Sequence, residues 1–274
     1  MPSQSENPAV PLELRGLTLV ATLTLLAIGP GLFFAPAFAR AVWPWPLGAF
    51  DELFLGAVWL AALAGAGLLL YYGRWWPARL VLPMLFVFTG GLLIVSLLHL
   101  DQFSPAGWST FIWFVLLLAF PAVSGYFLWR YREQAAPLDY PTPASWRNLL
   151  QGLALVLGLY GLALFLLPGI FAAFWPWPVS SFDGQLYSVI FTTAAIGAFG
   201  LSQWAAPVER LTLGATYAVL GLFSPFGILI ADADQHEVSW SAPGVWLWCA
   251  LFAIIFLVGL GLIWWSSGLM QGGP

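Results

Sequence analysis

Two groups of histidine and acidic residues have side chains that could bind a metal ion. His99 and Asp101 form the first group, and Asp232, Asp234 and His236 form the second. Imidazole nitrogens and carboxylate oxygens together suit a divalent cation such as zinc or manganese. Positions 232, 234 and 236 point the same way only in an extended loop, because they diverge on a helix. The alternative is that these polar residues mark where two helices leave a bilayer.

A repeated tryptophan–proline motif offers a second kind of site. Trp43, Trp45, Trp175 and Trp177 lie in two copies of Trp-Pro-Trp-Pro. Alternating prolines block a regular helix, so each segment is expected to lie extended along the outer interface, with its indoles among lipid headgroups. The alternative is an aromatic recess, formed by both copies, that binds a lipid, quinone, pigment or other apolar ligand.

Signatures of soluble enzymes are missing from the sequence. It contains no nucleophile elbow, Walker loop, dinucleotide fingerprint, HExxH pair or CxxC. The single cysteine, Cys249, allows neither an intramolecular disulfide nor a cysteine metal cluster. With no lysine and a net charge of -4, the chain lacks both a Schiff-base residue and a basic surface for nucleic acid. These features favour a non-catalytic protein that does not bind nucleic acid.

Composition indicates the elements that must position these residues. The chain is 61% hydrophobic and 7% charged, whereas soluble domains carry about 25% charged residues. Its apolar stretches predict an all-α integral membrane protein whose main partner is the lipid bilayer. Eight membrane-spanning helices are predicted, at 16–39, 53–73, 80–98, 108–129, 148–172, 184–206, 211–231 and 243–265.

Arginine positions predict the orientation. Seven of the 8 basic residues fall on one side of the predicted spans, and Arg40 alone falls on the other. Since basic residues near span ends are retained in the cytoplasm, both termini are expected there, in a bacterial plasma membrane.

The tryptophan–proline motif belongs to a longer internal repeat. Residues 43–51 recur at 175–183, with the motif followed by Phe and Asp at an offset of 132 residues. Residues 30–33 also match residues 168–171. The repeat predicts two parallel four-helix units about an axis along the membrane normal.

This duplication defines five segments of the chain. They are an N-terminal tail (1–15), a first repeat (16–130), a linker (131–147), a second repeat (148–267) and a C-terminal tail (268–274). The proline-rich linker is expected in the cytoplasm.

Helix irregularities are the main sequence argument for a transporter. Thr89-Gly90-Gly91 and Phe223-Ser224-Pro225 are candidate breaks near mid-membrane, where broken helices coordinate ions or substrates. No charged residue is predicted at that depth, which weakens an ion-coupled mechanism. Close helix packing with a proline kink is the alternative.

The stretch Trp43 to Leu47 resembles a Trp-Pro-Trp-Pro-Leu segment that follows the first span in functionally uncharacterised bacterial multi-pass membrane proteins. The resemblance implies the membrane class and brings no activity or ligand. The favoured hypothesis is a non-catalytic protein, either an accessory or structural subunit of a membrane complex or a binder of an apolar ligand. The alternatives are a transporter for a small solute and a metal-dependent membrane enzyme at the outer face.

Overall fold

A computed structural model describes residues 7–105, 107–134 and 139–270, and these residues form helices and connecting segments without a β-strand. The helices are α1 (Leu12–Phe34), α2 (Pro36–Val42), α3 (Ala49–Tyr72), α4 (Trp75–Leu98), α5 (Trp108–Arg130), α6 (Ala144–Leu166), α7 (Pro168–Phe171), α8 (Ser181–Gln203), α9 (Pro207–Gln235) and α10 (Pro243–Met270). All except the short α2 and α7 are long and apolar enough to cross a membrane, so eight spans are found. The predicted all-α membrane fold is confirmed.

The lengths and surfaces of these helices match a bilayer. The shortest of the eight, such as α1, have 23 residues and extend about 35 Å, which exceeds a hydrocarbon core of about 30 Å. Large apolar side chains, among them Leu155 and Leu257, are exposed along the outside of the bundle. Lipid is the solvent that such a surface requires.

The first and fifth predicted spans each contain a break. Ala35 (φ −136°, ψ 55°) ends α1, and Leu167 (φ −136°, ψ 58°) ends α6. Each residue precedes a proline, which disfavours the helical conformation of the residue before it. These two spans are found as Leu12–Phe34 and Ala144–Leu166, so their predicted ends at 39 and 172 were wrong. The match of Pro30 with Pro168 was also wrong, because Pro30 lies inside α1 whereas Pro36 occupies the same backbone setting as Pro168.

Helix starts keep the spacing of the tryptophan–proline motif. Helices begin at 12 and 144, at 36 and 168, at 49 and 181, and at 75 and 207, each pair 132 residues apart. The starts of α5 and α10, at 108 and 243, are 135 residues apart. One spacing thus relates four of the five pairs of helix starts in the two halves of the chain.

Two inner helices connect the halves. Helix α3 packs against α1 and α9, and α8 packs against α6 and α4. Helices α4 and α5 pack together, as do α9 and α10. Each inner helix therefore makes its most extensive contacts with one helix from its own half and one from the other half.

The bundle has two distinct ends. At the linker end, which carries residues 7–10, 73–76, 140–146 and 204–210, Ala9 bridges to Arg74, and Thr142 Oγ1 donates to the Leu201 carbonyl at 2.8 Å. Helices α1 and α6 begin there at Leu12 and Ala144, earlier than the predicted 16 and 148. The tryptophan end carries both Trp-Pro-Trp-Pro segments. The predicted tail and linker residues 1–6, 135–138 and 271–274 lie outside the described residues.

Candidate functional site

Both Trp-Pro-Trp-Pro segments turn their indoles into the protein. Trp45, Trp175 and Trp177 are buried, and Trp43 is half-buried. The expectation that these indoles lie among headgroups was wrong for the three buried ones. The prolines keep each segment out of a helix, as predicted, but the chain folds across the end of the bundle and packs its rings inward.

Trp43 and Trp45 belong to a cluster of four tryptophans that we call the first aromatic cluster. Their rings lie 5.0 Å apart, and Trp113 of α5 lies 5.0 Å from Trp45 and 5.8 Å from Trp43. Trp59 of α3 lies 6.3 Å from both Trp43 and Trp113. Most of these pairs have the edge-to-face geometry that aromatic rings favour. Trp113 donates its N–H to Ser96 Oγ at 3.0 Å.

The other three indoles of this cluster have unsatisfied donors. The Nε1 atoms of Trp43, Trp45 and Trp59 are buried without a hydrogen-bond partner in the described part of the chain. Buried donors are nearly always paired in folded proteins, so three exceptions in one cluster need an explanation. These indoles line a chamber of about 10 Å³, close to the minimum volume that holds one water molecule or oxygen atom.

The chamber adjoins a much larger cavity. This cavity, of about 150 Å³, lies among α1, α3, α4 and α5, with α8 and α9 behind it. At its margin Ile28, Leu85 and Leu116 are partly exposed, so it is open toward lipid. Five residues line both spaces: Val58, Trp59, Phe88, Trp113 and Ile190.

Cavity walls are apolar despite several threonines. The hydroxyls of Thr18, Thr89, Thr212 and Thr216 donate to carbonyls of their own helices at 2.7 to 2.9 Å. Thr193 of α8 differs, because its buried hydroxyl has no partner among the residues described. The cavity thus offers no continuous polar path for an ion or polar solute within the described structure.

Side-chain size differs between the two halves at several positions that line these spaces. At four of them the residue 132 positions later is bulkier. The pairs are Thr18 and Leu150, Ala21 and Leu153, Ile28 and Tyr160, and Leu55 and Tyr187.

Trp175 and Trp177 belong to a second aromatic cluster, which also contains Tyr160, Tyr187 and Trp248. Trp175 stacks on Tyr187 at 4.8 Å and donates its N–H to Tyr160 Oη at 2.7 Å. Trp177 Nε1 and Tyr187 Oη both donate to Asp51 Oδ1, at 2.9 and 2.5 Å. The four predicted tryptophans are therefore divided between two clusters, one beside a cavity and one densely packed.

Tyr187→Phe tests the hydrogen bond to Asp51. Because hydrogen bonds to charged groups contribute about 1.5–3 kcal/mol, we expect the variant to lose about 1.5 kcal/mol of stability. The measurement is thermal unfolding in detergent. Tyr71→Phe is the control, since Tyr71 is 81% exposed and its change should leave stability unaltered. Equal melting temperatures for the two variants would contradict the assigned bond.

In the first predicted metal group, the side chains of His99 and Asp101 each form a hydrogen bond with a different residue. His99, at the C-cap of α4, has Nε2 2.6 Å from Gln185 Oε1. Asp101 accepts a hydrogen bond from the adjacent Gln102 amide at 2.8 Å.

The second predicted metal group shapes the end of α9. Asp232 accepts the Val238 backbone N–H at 2.8 Å and the Trp240 indole N–H at 2.7 Å. Asp234 is exposed on α9, and His236 caps that helix with a left-handed φ of 56°. Over residues 7–105, 107–134 and 139–270, no group of three or more His, Cys, Asp or Glu side chains could hold a metal ion. The metal hypothesis thus gains no geometric support.

The two segments predicted as helix breaks near mid-membrane lie within continuous helices. Helix α4 runs through Gly91, and α9 runs through Pro225. A Cβ on Gly91 would lie 2.7 Å from Val189 Cγ1 of α8, so the glycine permits close packing. This finding favours the packing interpretation and removes the main sequence argument for a transporter.

Trp59 and Thr193 are site residues that the sequence reasoning missed. Trp59 lies near the middle of α3, far from the interfaces where membrane tryptophans usually anchor. This unusual depth is the sequence feature that could have identified Trp59 as a site residue. Thr193 resembles other helix threonines in sequence, and the absence of a partner appears only in three dimensions.

Comparisons with protein-family models, with curated proteins and with solved structures find no match to this chain. Its class follows from the fold and cavity: a multi-pass helical membrane-type protein with an apolar internal space next to indole donors that have no partner among the described residues.

Proposed function

We propose that this chain is a non-catalytic membrane protein that binds an apolar ligand in the cavity among α1, α3, α4 and α5. The cavity itself is the observation that supports the proposal. Its volume of about 150 Å³ equals that of an engineered apolar cavity that binds benzene. A ring or a length of hydrocarbon chain fits this space.

The energetic cost of a void supports an occupant. Left empty, a space of this size would cost roughly 3–4 kcal/mol at the 24 cal/mol per Å³ typical of voids in protein cores. At some equivalent positions the second half of the chain has larger side chains, such as Leu153 where the first half has Ala21. A bound apolar molecule would restore the lost contacts in the first half.

The proposed arrangement is a duplicated bundle in a bacterial plasma membrane. The helix spacing of 132 residues and the matching contacts of α3 with α9 and of α8 with α4 support two parallel units about a pseudo-twofold axis. Seven arginines at the linker end support cytoplasmic termini.

Ala21→Leu tests ligand binding by filling the cavity. The probe is durene, a tetramethylbenzene without polar atoms. Durene should raise the melting temperature of the wild-type protein in detergent, because a ligand that binds the folded state stabilises it. We expect the variant to bind durene at least about tenfold more weakly, since the leucine occupies wall space.

Ala27→Leu is the matched control, because Ala27 lies on the exposed surface of the same helix and should leave the durene effect unchanged. If durene stabilises neither wild type nor control, the proposed function is wrong.

A further inference from the structure

We infer that the ligand is a quinone in its oxidised form, with one carbonyl oxygen held by indole N–H groups of the first aromatic cluster. This inference rests on the proposed binding of an apolar ligand in the adjoining cavity, and it adds the chemistry of the ligand's head.

The chamber among the indoles has the size of one oxygen atom. A volume of about 10 Å³ cannot accept a ring, but it can accept a carbonyl oxygen whose ring lies in the larger cavity. Val58 and Ile190 line both the chamber and the large cavity. A quinone ring that lies in the cavity beside these two residues would therefore place one of its carbonyl oxygens at the chamber.

The residues that line the chamber carry unpaired groups that are all donors within the described chain. Trp45 and Trp59 are more than nine-tenths buried, and their N–H groups, like that of Trp43, are unpaired within the described chain. An indole N–H donates and cannot accept. A carbonyl oxygen satisfies such a donor, whereas a hydroxyl would bring a further proton that needs an acceptor. The site should therefore prefer a quinone to the corresponding quinol.

Two other features of the walls fit a flat ring with two opposite carbonyls. Aromatic side chains of Trp59, Phe88 and Trp113 border the space where the ring would lie. The hydroxyl of Thr193, unpaired in the described structure, lies on the α8 wall of the large cavity. It supplies a donor for an oxygen outside the chamber.

The second aromatic cluster contains a matched control. Trp248 is fully buried and its N–H also has no partner in the described residues. It packs on Trp175 and Trp177, and the described walls of the cavity and the chamber do not include it. An unpaired indole donor is thus present both beside the cavity and away from it.

The experiment measures binding of three probes to the purified full chain in detergent by equilibrium dialysis. Duroquinone carries the ring, four methyl groups and two carbonyls; durohydroquinone is its reduced form; durene lacks the oxygens. We expect duroquinone to bind about tenfold more tightly than durene, and durohydroquinone to bind more weakly than duroquinone.

Trp59→Phe and Trp45→Phe keep an aromatic ring and remove one donor each. Either variant should lower duroquinone affinity about fivefold or more. Trp45→Phe should leave durene affinity unchanged, because Trp45 lines only the chamber. Trp59 also lines the large cavity, so Trp59→Phe should lower duroquinone affinity by a larger factor than durene affinity. Trp248→Phe should change neither affinity. If one variant fails to fold, the other provides the same test.

The outcomes separate this inference from the function on which it rests. Equal binding of durene and duroquinone, with no effect of Trp59→Phe or Trp45→Phe, would overturn the quinone and leave the apolar site intact. Binding of none of the probes would overturn both.

Discussion

Arg79→Met is expected to destabilise the protein by about 3 kcal/mol. Glu209 is 1% exposed, and its Oε1 accepts Arg79 Nη2 and Nε at 2.8 and 3.1 Å. Its Oε2 accepts the Ala206 backbone N–H at 2.9 Å. Removing the arginine leaves a buried carboxylate without its hydrogen-bonded counter-charge, with Arg210 as its remaining positive neighbour. Breaking a buried pair in this way costs about 3–5 kcal/mol. We take the lower end because the Arg79 side chain is 23% exposed.

Thermal unfolding in detergent measures this effect, with two comparisons. Arg132→Met removes an exposed ion pair with Glu133 and should change stability little. Adding Glu209→Gln to Arg79→Met should restore much of the loss, because a neutral amide retains the bond to Ala206 without a buried charge. A double variant no more stable than Arg79→Met would argue against an electrostatic cause.

Gly221→Ala should weaken the packing of α9 against α10, again by about 3 kcal/mol. A Cβ at Gly221 would lie 2.5 Å from the Phe252 carbonyl oxygen and 2.5 Å from the Phe256 nitrogen. These are backbone atoms that cannot rotate away, so the two helices must separate. Overpacking typically costs 1–3 kcal/mol, and a backbone clash lies at the upper end of this range. The expected fall in melting temperature is about 5–10 °C.

Gly67→Ala is the control for this prediction. Gly67 lies inside α3, and its added methyl group would meet nothing within 4 Å among the described residues. Alanine favours helix over glycine by about 1 kcal/mol, so this variant should be as stable as the wild type or more so. A similar loss in both variants would mean that the close approach of α9 and α10 carries little of the stability.

Local patterns predicted the helical elements well. Apolar stretches of 20 or so residues have one stable form in lipid, since a helix pairs its own backbone groups, and the eight spans followed from this constraint. The breaks at Ala35 and Leu167 were also local, because Pro36 and Pro168 follow them, but the long apolar runs concealed them.

Pairings between distant segments were not predictable in the same way. Arg79 and Glu209 are 130 residues apart, and nothing in either segment indicates the other as its partner. The metal hypothesis had a similar weakness, because it required the end of α4 and the end of α9 to bring imidazole and carboxylate groups together. The structure instead places His99 beside Gln185 and leaves His236 exposed at the end of α9.

The helical membrane class, the eight spans and the spacing of 132 residues follow from the sequence, because these depend on hydrophobicity and on chain neighbours. The burial of Trp45, the lack of a partner for its N–H among the described residues and the nearby cavity become visible in three dimensions. Whether a cavity exists, and whether a donor has a partner, depends on all the side chains that surround that place in the protein. Helices that are far apart in the sequence supply those side chains.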